Sequence, residues 1–177
     1  MSRFRDARDV SQATGRTRAR VDELADALGL EPLPLEGGLF RQTWVGEERD
    51  GRPVGTAIVV LLASDGGQFS AMHRLPIDEV WFFQAGDPME LLLLEPGTPG
   101  RVATLGPDVL GGHELQVVVA AGTWMGARTG PGGTWSLFAT SMAPGFVPAD
   151  YDPGDRAALS SEWPEHAPLI RALTRSG

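Results

Sequence analysis

His73 and Glu79, six residues apart, are the side chains of this sequence best suited to move a proton. Imidazole titrates near neutrality. A carboxylate set among aromatic rings has its charged form disfavoured, which lifts it toward the range useful to a general acid or base. Alternation along an extended segment puts Glu79, Trp81 and Phe83 on one face and Val80 and Phe82 on the other. The same alternation groups Thr123, Met125 and Ala127 and turns Trp124 away. A His–Glu pair in an apolar interior suits proton transfer at carbon, the step on which isomerases and epimerases depend. Arg41 could bind a carboxylate or phosphate, or hold an enolate as it forms. Trp81, Phe83, Met125 and Trp135 are the expected substrate-binding walls.

Each residue also has a plainer reading. His73 could cap a strand or bond a backbone carbonyl, and Glu79 could pair with Arg41 or Arg74 as a buried structural salt bridge. Trp44, Trp81, Trp124 and Trp135 could serve as core. Tyr151, the only tyrosine, lies in the Asp150-Tyr151-Asp152 segment and reads as an exposed loop residue, a lid group or a proton donor.

The composition narrows the chemistry. The 177 residues contain no cysteine, which removes thiolate nucleophiles, disulfides and cysteine-ligated metals. All 15 cations are arginine, so no lysine can form a Schiff base or act as a base. A net charge of −8 and a pI near 4.8 argue against a nucleic-acid-binding body. Residues 1–20 carry six arginines against Asp6 and Asp9 and read as a flexible tail, with 21–177 as a single domain. No segment reads as a secretory signal or membrane span, which gives a cytoplasmic expectation.

The elements that must position these residues are mostly strands. Val21, Leu24, Ala25 and Leu28 recur at helical spacing, and Gly29 with Pro32 and Pro34 ends that helix. Then follow β-like runs at Phe40–Val45, Thr56–Ala63, Glu79–Gln84, Met89–Leu94, Val102–Leu105, Leu115–Ala120 and Trp135–Ser141, separated by turns such as Asp50-Gly51 and Pro96-Gly97. A closing helix is expected over Glu165 to Thr174. Strands at this spacing make an all-β sandwich or barrel with a short helix at each end.

Several blocks in this order resemble one branch of the cupin superfamily, the little-characterised, sugar-nucleotide-epimerase-like single-domain cupins. They are Glu36-Gly37-Gly38-Leu39-Phe40-Arg41, His73-Arg74 with Asp78-Glu79-Val80-Trp81, Ala121-Gly122-Thr123-Trp124, Ala143-Pro144-Gly145-Phe146 and Trp163-Pro164-Glu165-His166. The resemblance spans about residues 21–174. It implies a double-stranded β-helix, the cupin jelly-roll barrel, commonly dimeric, with a small-molecule pocket inside. Fold alone selects no reaction.

Many cupins bind a metal through three histidines and a glutamate. By the resemblance, His73 and Glu79 occupy two of those positions, while Leu75 and Met125 occupy the others. Gln42 stands where members usually carry glutamate, and Phe82 where they carry histidine, which implies a more apolar pocket. The expectation is therefore an enzyme without metal or other cofactor. It would act on a small organic metabolite by isomerase, epimerase, cyclase or lyase chemistry. Arginine-only cations with abundant Ala, Gly and Pro suggest a GC-rich genome and secondary metabolism. The expected assembly is a homodimer with no nucleic-acid or membrane partner. The alternatives are a non-catalytic small-molecule-binding cupin, a structural dimer and a metal-dependent dioxygenase.

Overall fold

Inward-pointing apolar residues at every second position require two sheets, each covering the other. The computed structural model describes residues 20–175 and contains that arrangement. A helix over 20–28 (α1) leads into β1 (Glu31–Pro32), β2 (Leu39–Val45), β3 (Glu48–Arg49), β4 (Arg52–Pro53), β5 (Thr56–Ala63), β6 (Ser70–Arg74) and β7 (Glu79–Gly86). After them come β8 (Met89–Leu94), β9 (Arg101–Leu105), β10 (Gln116–Val119), β11 (Trp124–Thr129), β12 (Trp135–Met142), β13 (Asp152–Pro153), α2 (Arg156–Glu162) and α3 (Ala167–Ala172). One sheet runs β1-β2-β5-β12-β7-β10, the other β13-β6-β11-β8-β9, and β3-β4 form a separate ribbon. Neighbouring strands in both sheets are antiparallel, as in a jelly roll.

The interior is filled from both sheets. Val60, Leu62, Trp81, Val117 and Phe138 of the six-stranded sheet meet Leu91, Leu93, Ala103, Leu105, Met125 and Ala127 of the other. Helices cover part of each outer face. Val21 of α1 packs on Leu61 and Ala63, with Leu24, Leu39 and Trp135 alongside. Leu159, Trp163, Ile170 and Leu173 pack on Met72, Leu92 and Leu94 of the five-stranded sheet. Asp155 starts α2 by accepting a hydrogen bond from the Ala158 amide at 2.8 Å. Among the described residues no helix is long and apolar enough to cross a membrane.

Two strands lie outside the runs that composition marks. β6 (Ser-Ala-Met-His-Arg) has no β-branched residue, and β11 contains Gly126 and Ala127; both are strands because partners on either side complete their ladders. The closing helix is shorter than expected: a 3₁₀ turn at Pro164–His166 precedes α3, and α2 is an additional helix. Apart from Arg20, the arginine-rich segment 1–20 lies outside the described residues.

Candidate functional site

One end of the barrel interior is hollow. A cavity of about 400 Å³ opens there, within the size range of small-molecule sites. Most of its wall is apolar, including Leu33, Phe40, Ile58, Leu75, Met142 and Phe146. Glu36, Gln42, Thr56, Glu79, Thr140 and Tyr151 supply polar groups.

Glu36 reaches the cavity because the chain turns sharply behind it. Gly37 and Gly38 adopt φ of +103° and +81°, a region that side chains resist. A Cβ on Gly37 would stand 2.7 Å from the Phe69 carbonyl, so the turn packs directly on backbone. The Glu36 carbonyl accepts from the Ala71 amide at 2.9 Å, and its Oε2 accepts from Ser70 Oγ at 3.3 Å, tying the turn to β6.

His73 sits on β6 between β11 and β13 and is 1% exposed. Its Nδ1 is 2.7 Å from the Ala71 carbonyl oxygen. A carbonyl only accepts, so Nδ1 carries the hydrogen and donates it. In the neutral ring this leaves the lone pair on Nε2, which lies 4.0 Å from Glu36 Oε2. The Tyr151 ring stacks on the imidazole, with centroids 5.2 Å apart and planes 19° from parallel.

Glu79 begins β7 and is 6% exposed. Trp81, two residues on and on the same face, donates its indole N–H to Glu79 Oε2 at 2.8 Å. Burial, then the nearby charge of Glu36, pushes the Glu79 carboxyl up to about 7, against the opposing influence of His73, Thr140 and Trp81. Tyr151 is pushed up to about 12 by burial and by Glu36, partly offset by Arg175, so its phenol keeps its proton at neutral pH. The cluster therefore holds a carboxyl poised between its two forms, an imidazole with a fixed tautomer and a second carboxylate. Glu36 and Glu79 line the cavity and can exchange protons with a molecule held there, while His73 is not among the lining residues and stands next to two that are, Glu36 and Tyr151.

The structure brings together Glu79 and His73, each within the electrostatic reach of Glu36. It places the expected wall residues elsewhere. Trp81 stacks on Phe138 in the packed interior, at 4.6 Å and 8°. Met125 is core, and Phe83 packs against the same cluster. Trp135 lies beneath α1. Arg41 is exposed on the outer face of β2, near Gly29, while its neighbours Phe40 and Gln42 face the cavity. Phe82 pairs with Ala139 and Gln116 on the outer face, so of the two departures from the usual pattern only Gln42 touches the cavity. Glu36 and the walls Phe40, Ile58 and Phe146 belong to the site without having been expected there. For Glu36 the signal was the Glu36-Gly37-Gly38 block itself, since two adjacent glycines mark a forced turn and the residue before it is aimed by that turn.

The donor set does not fit the metal centre that many cupins hold. Met125, paired in register with His73, offers only a thioether, and the buried Leu75 offers no donor. No group of three or more histidine, aspartate and glutamate side chains converges as metal ligands do among the described residues.

The family model described as Cupin superfamily (DUF985) matches residues 22–153. A crystal structure of a protein from Shewanella oneidensis superposes with a TM-score of 0.80 at 30% identity, covering 88% of this chain and 98% of that one. A hypothetical protein from Leishmania major gives 0.74 at 27% identity over the same shares. A cupin 2 domain-containing protein from Halorhodospira halophila gives 0.54 at 15% identity, covering 77% of this chain and 82% of that one, a likeness of fold. No curated protein matches the chain.

Proposed function

We propose a function from one premise: the chain belongs to the cupin superfamily, within the family DUF985. The hollow end of the barrel binds a small organic metabolite, and His73 and Glu79 transfer a proton at one of its carbon atoms. The reaction is of isomerase, epimerase, cyclase or lyase type. His73 Nε2, the ring nitrogen with the lone pair, takes a proton from carbon; Glu79, protonated, returns one at the second position. The Ala71 carbonyl fixes the tautomer and the Tyr151 stack fixes the ring plane. The observation that carries this reading is Glu79: a carboxyl nearly sealed from solvent, at a cavity wall, titrating near neutrality. With Leu75 and Met125 at two ligand positions, side chains rather than a bound metal perform the chemistry.

The test uses the ligand that the protein itself retains. Protein purified without a denaturing wash is extracted, and the small molecule identified by mass spectrometry is incubated with wild-type protein in D₂O. Deuterium should enter at a carbon position with wild type, and only at the background rate with Glu79→Gln or His73→Ala, both still folded by circular dichroism. A ligand that binds but returns without deuterium overturns catalysis and leaves a binding protein. The same reading includes a homodimer. Its support is the outer face of the six-stranded sheet, where half-buried Val59, Val80, Phe82 and Ala139 adjoin the exposed Val118.

A further inference from the structure

The cavity has an unbalanced set of hydrogen-bonding groups. Glu36 lines the cavity; its Oε2 accepts from Ser70 Oγ at 3.3 Å and lies 4.0 Å from Nε2 of His73, which is not itself among the lining residues. In the neutral ring Nε2 is an acceptor, because Nδ1 already donates to Ala71, so the imidazole offers Glu36 no hydrogen. Glu79 adds a second carboxyl to the wall. No arginine lines the cavity among the described residues. Two of the arginines nearby are engaged elsewhere, and two stand outside the wall. Arg52 makes two bonds to Asp150, at 2.6 and 2.9 Å, and Arg74 bonds Asp152 at 2.6 Å while lying over the Trp124 ring. Arg41 is on the outer face of its strand, and Arg175 stands beside Gly37 and Tyr151 without forming part of the wall.

From this geometry we infer the class of ligand: a largely apolar small molecule bearing one protonated nitrogen, whose N–H group donates to Glu36 while its hydrocarbon part lies against Phe40, Ile58 and Phe146. The inference rests on the proposed reading of this cavity as a substrate site and names what enters it. A carboxylate or phosphate would face Glu36 and Glu79 with no cation to receive it, inside an apolar wall that screens little. A neutral alcohol would donate one hydrogen bond and leave the charge of Glu36 unmatched. A protonated amine donates to Glu36, and its charge matches the carboxylate.

Three probes of one shape separate these cases: 3-phenylpropylamine, 3-phenylpropanol and 3-phenylpropionate. They are titrated into the full-length protein by calorimetry at mildly alkaline pH, where an alkylamine keeps its proton. The amine should bind about tenfold more tightly than the alcohol, the scale of one charge-assisted hydrogen bond. The carboxylate should not bind. Glu36→Gln should remove the advantage of the amine, so that amine and alcohol bind equally. Carboxylate binding equal to or tighter than amine binding overturns the inferred class while leaving the proton-transfer reading intact, and equal binding of all three does the same. Failure of all three to bind overturns both, because the cavity is then not a ligand site. Loss of deuterium incorporation in the earlier test, with the amine preference kept, overturns the reaction alone.

Discussion

The two ends of the barrel interior are built by the same strands and have opposite character. Along β5, Thr56 and Ile58 border the cavity, while Val60 and Leu62 belong to solid core. Along β12, Met142 and Thr140 border it and Phe138 does not; along β7, Glu79 borders it and Trp81 does not. The change falls at one step of the alternation on all three strands, and the Trp81–Phe138 stack marks it. Backbone geometry decides which residues point inward; side-chain volume and polarity decide whether the space is filled. Two broad rings close one end, whereas threonines and aliphatic side chains leave room at the other.

This contrast sets the largest expected effect. Phe138→Ala removes half of the stack in a region already packed to solid density and should cost about 3–5 kcal/mol of unfolding free energy. Ile58→Ala trims the wall of an existing cavity, where fewer contacts are lost, and should cost less than half as much. Urea denaturation of the two variants measures the difference. Equal losses would mean that the hollow end is as tightly packed as the other.

Most of the architecture could be read from the chain. β5 and β8 begin and end where their apolar runs do, and α1 follows its helical period up to Gly29. The pairing of Glu79 with Trp81 on one face was also legible, because alternation is a local property. The cavity walls were not. Met125 and Phe83 do point inward, yet which inward residues border a void depends on how far across the barrel the opposing side chains reach. Arg41 follows the same logic: its strand could be recognised, but which face was inward depends on register with β5, where Arg41 sits opposite Val59. His73 was singled out by its chemistry and by the resemblance, since nothing in Ser-Ala-Met-His-Arg announces a strand. Glu36 needed the fold to bring β6 beside a turn more than thirty residues upstream.

The second difference between the ends is electrostatic, and Glu79 carries it. Its carboxyl titrates near 7 in the folded chain against an ordinary 4.5. Between those values the folded protein holds a proton that the unfolded chain has released. Stability therefore falls as pH rises through this window and levels off above it, by about 3 kcal/mol in all. Glu79→Gln has no proton to lose. Relative to wild type it should gain about that much stability between pH 4.5 and pH 8, read from denaturation curves at each pH. A wild-type protein whose stability does not fall over this interval, or a variant that tracks it, would show Glu79 to be better solvated than the packing around it implies.

The smallest effect belongs to the rim of the hollow end. Phe146, Pro148 and Tyr151 reach the cavity from one loop, held by the paired bonds of Arg52 to Asp150, by the bond from Arg52 to the Gly145 carbonyl and by the Phe146 amide on Thr56 Oγ1. These anchors lie outside the packed core, but Arg52→Ala leaves the Asp150 side chain, only 8% exposed, without its partner, so the melting temperature should fall by a few degrees. The loop should also loosen: amide exchange should quicken from Phe146 to Tyr151 and stay unchanged at Leu61, Leu91 and Phe138. Because Phe146 and Tyr151 form part of the cavity wall, 3-phenylpropylamine should also bind severalfold more weakly. Faster exchange spreading into β5 and β12 would mean that the two ends open as one unit, and the division drawn at the Trp81–Phe138 stack would not hold.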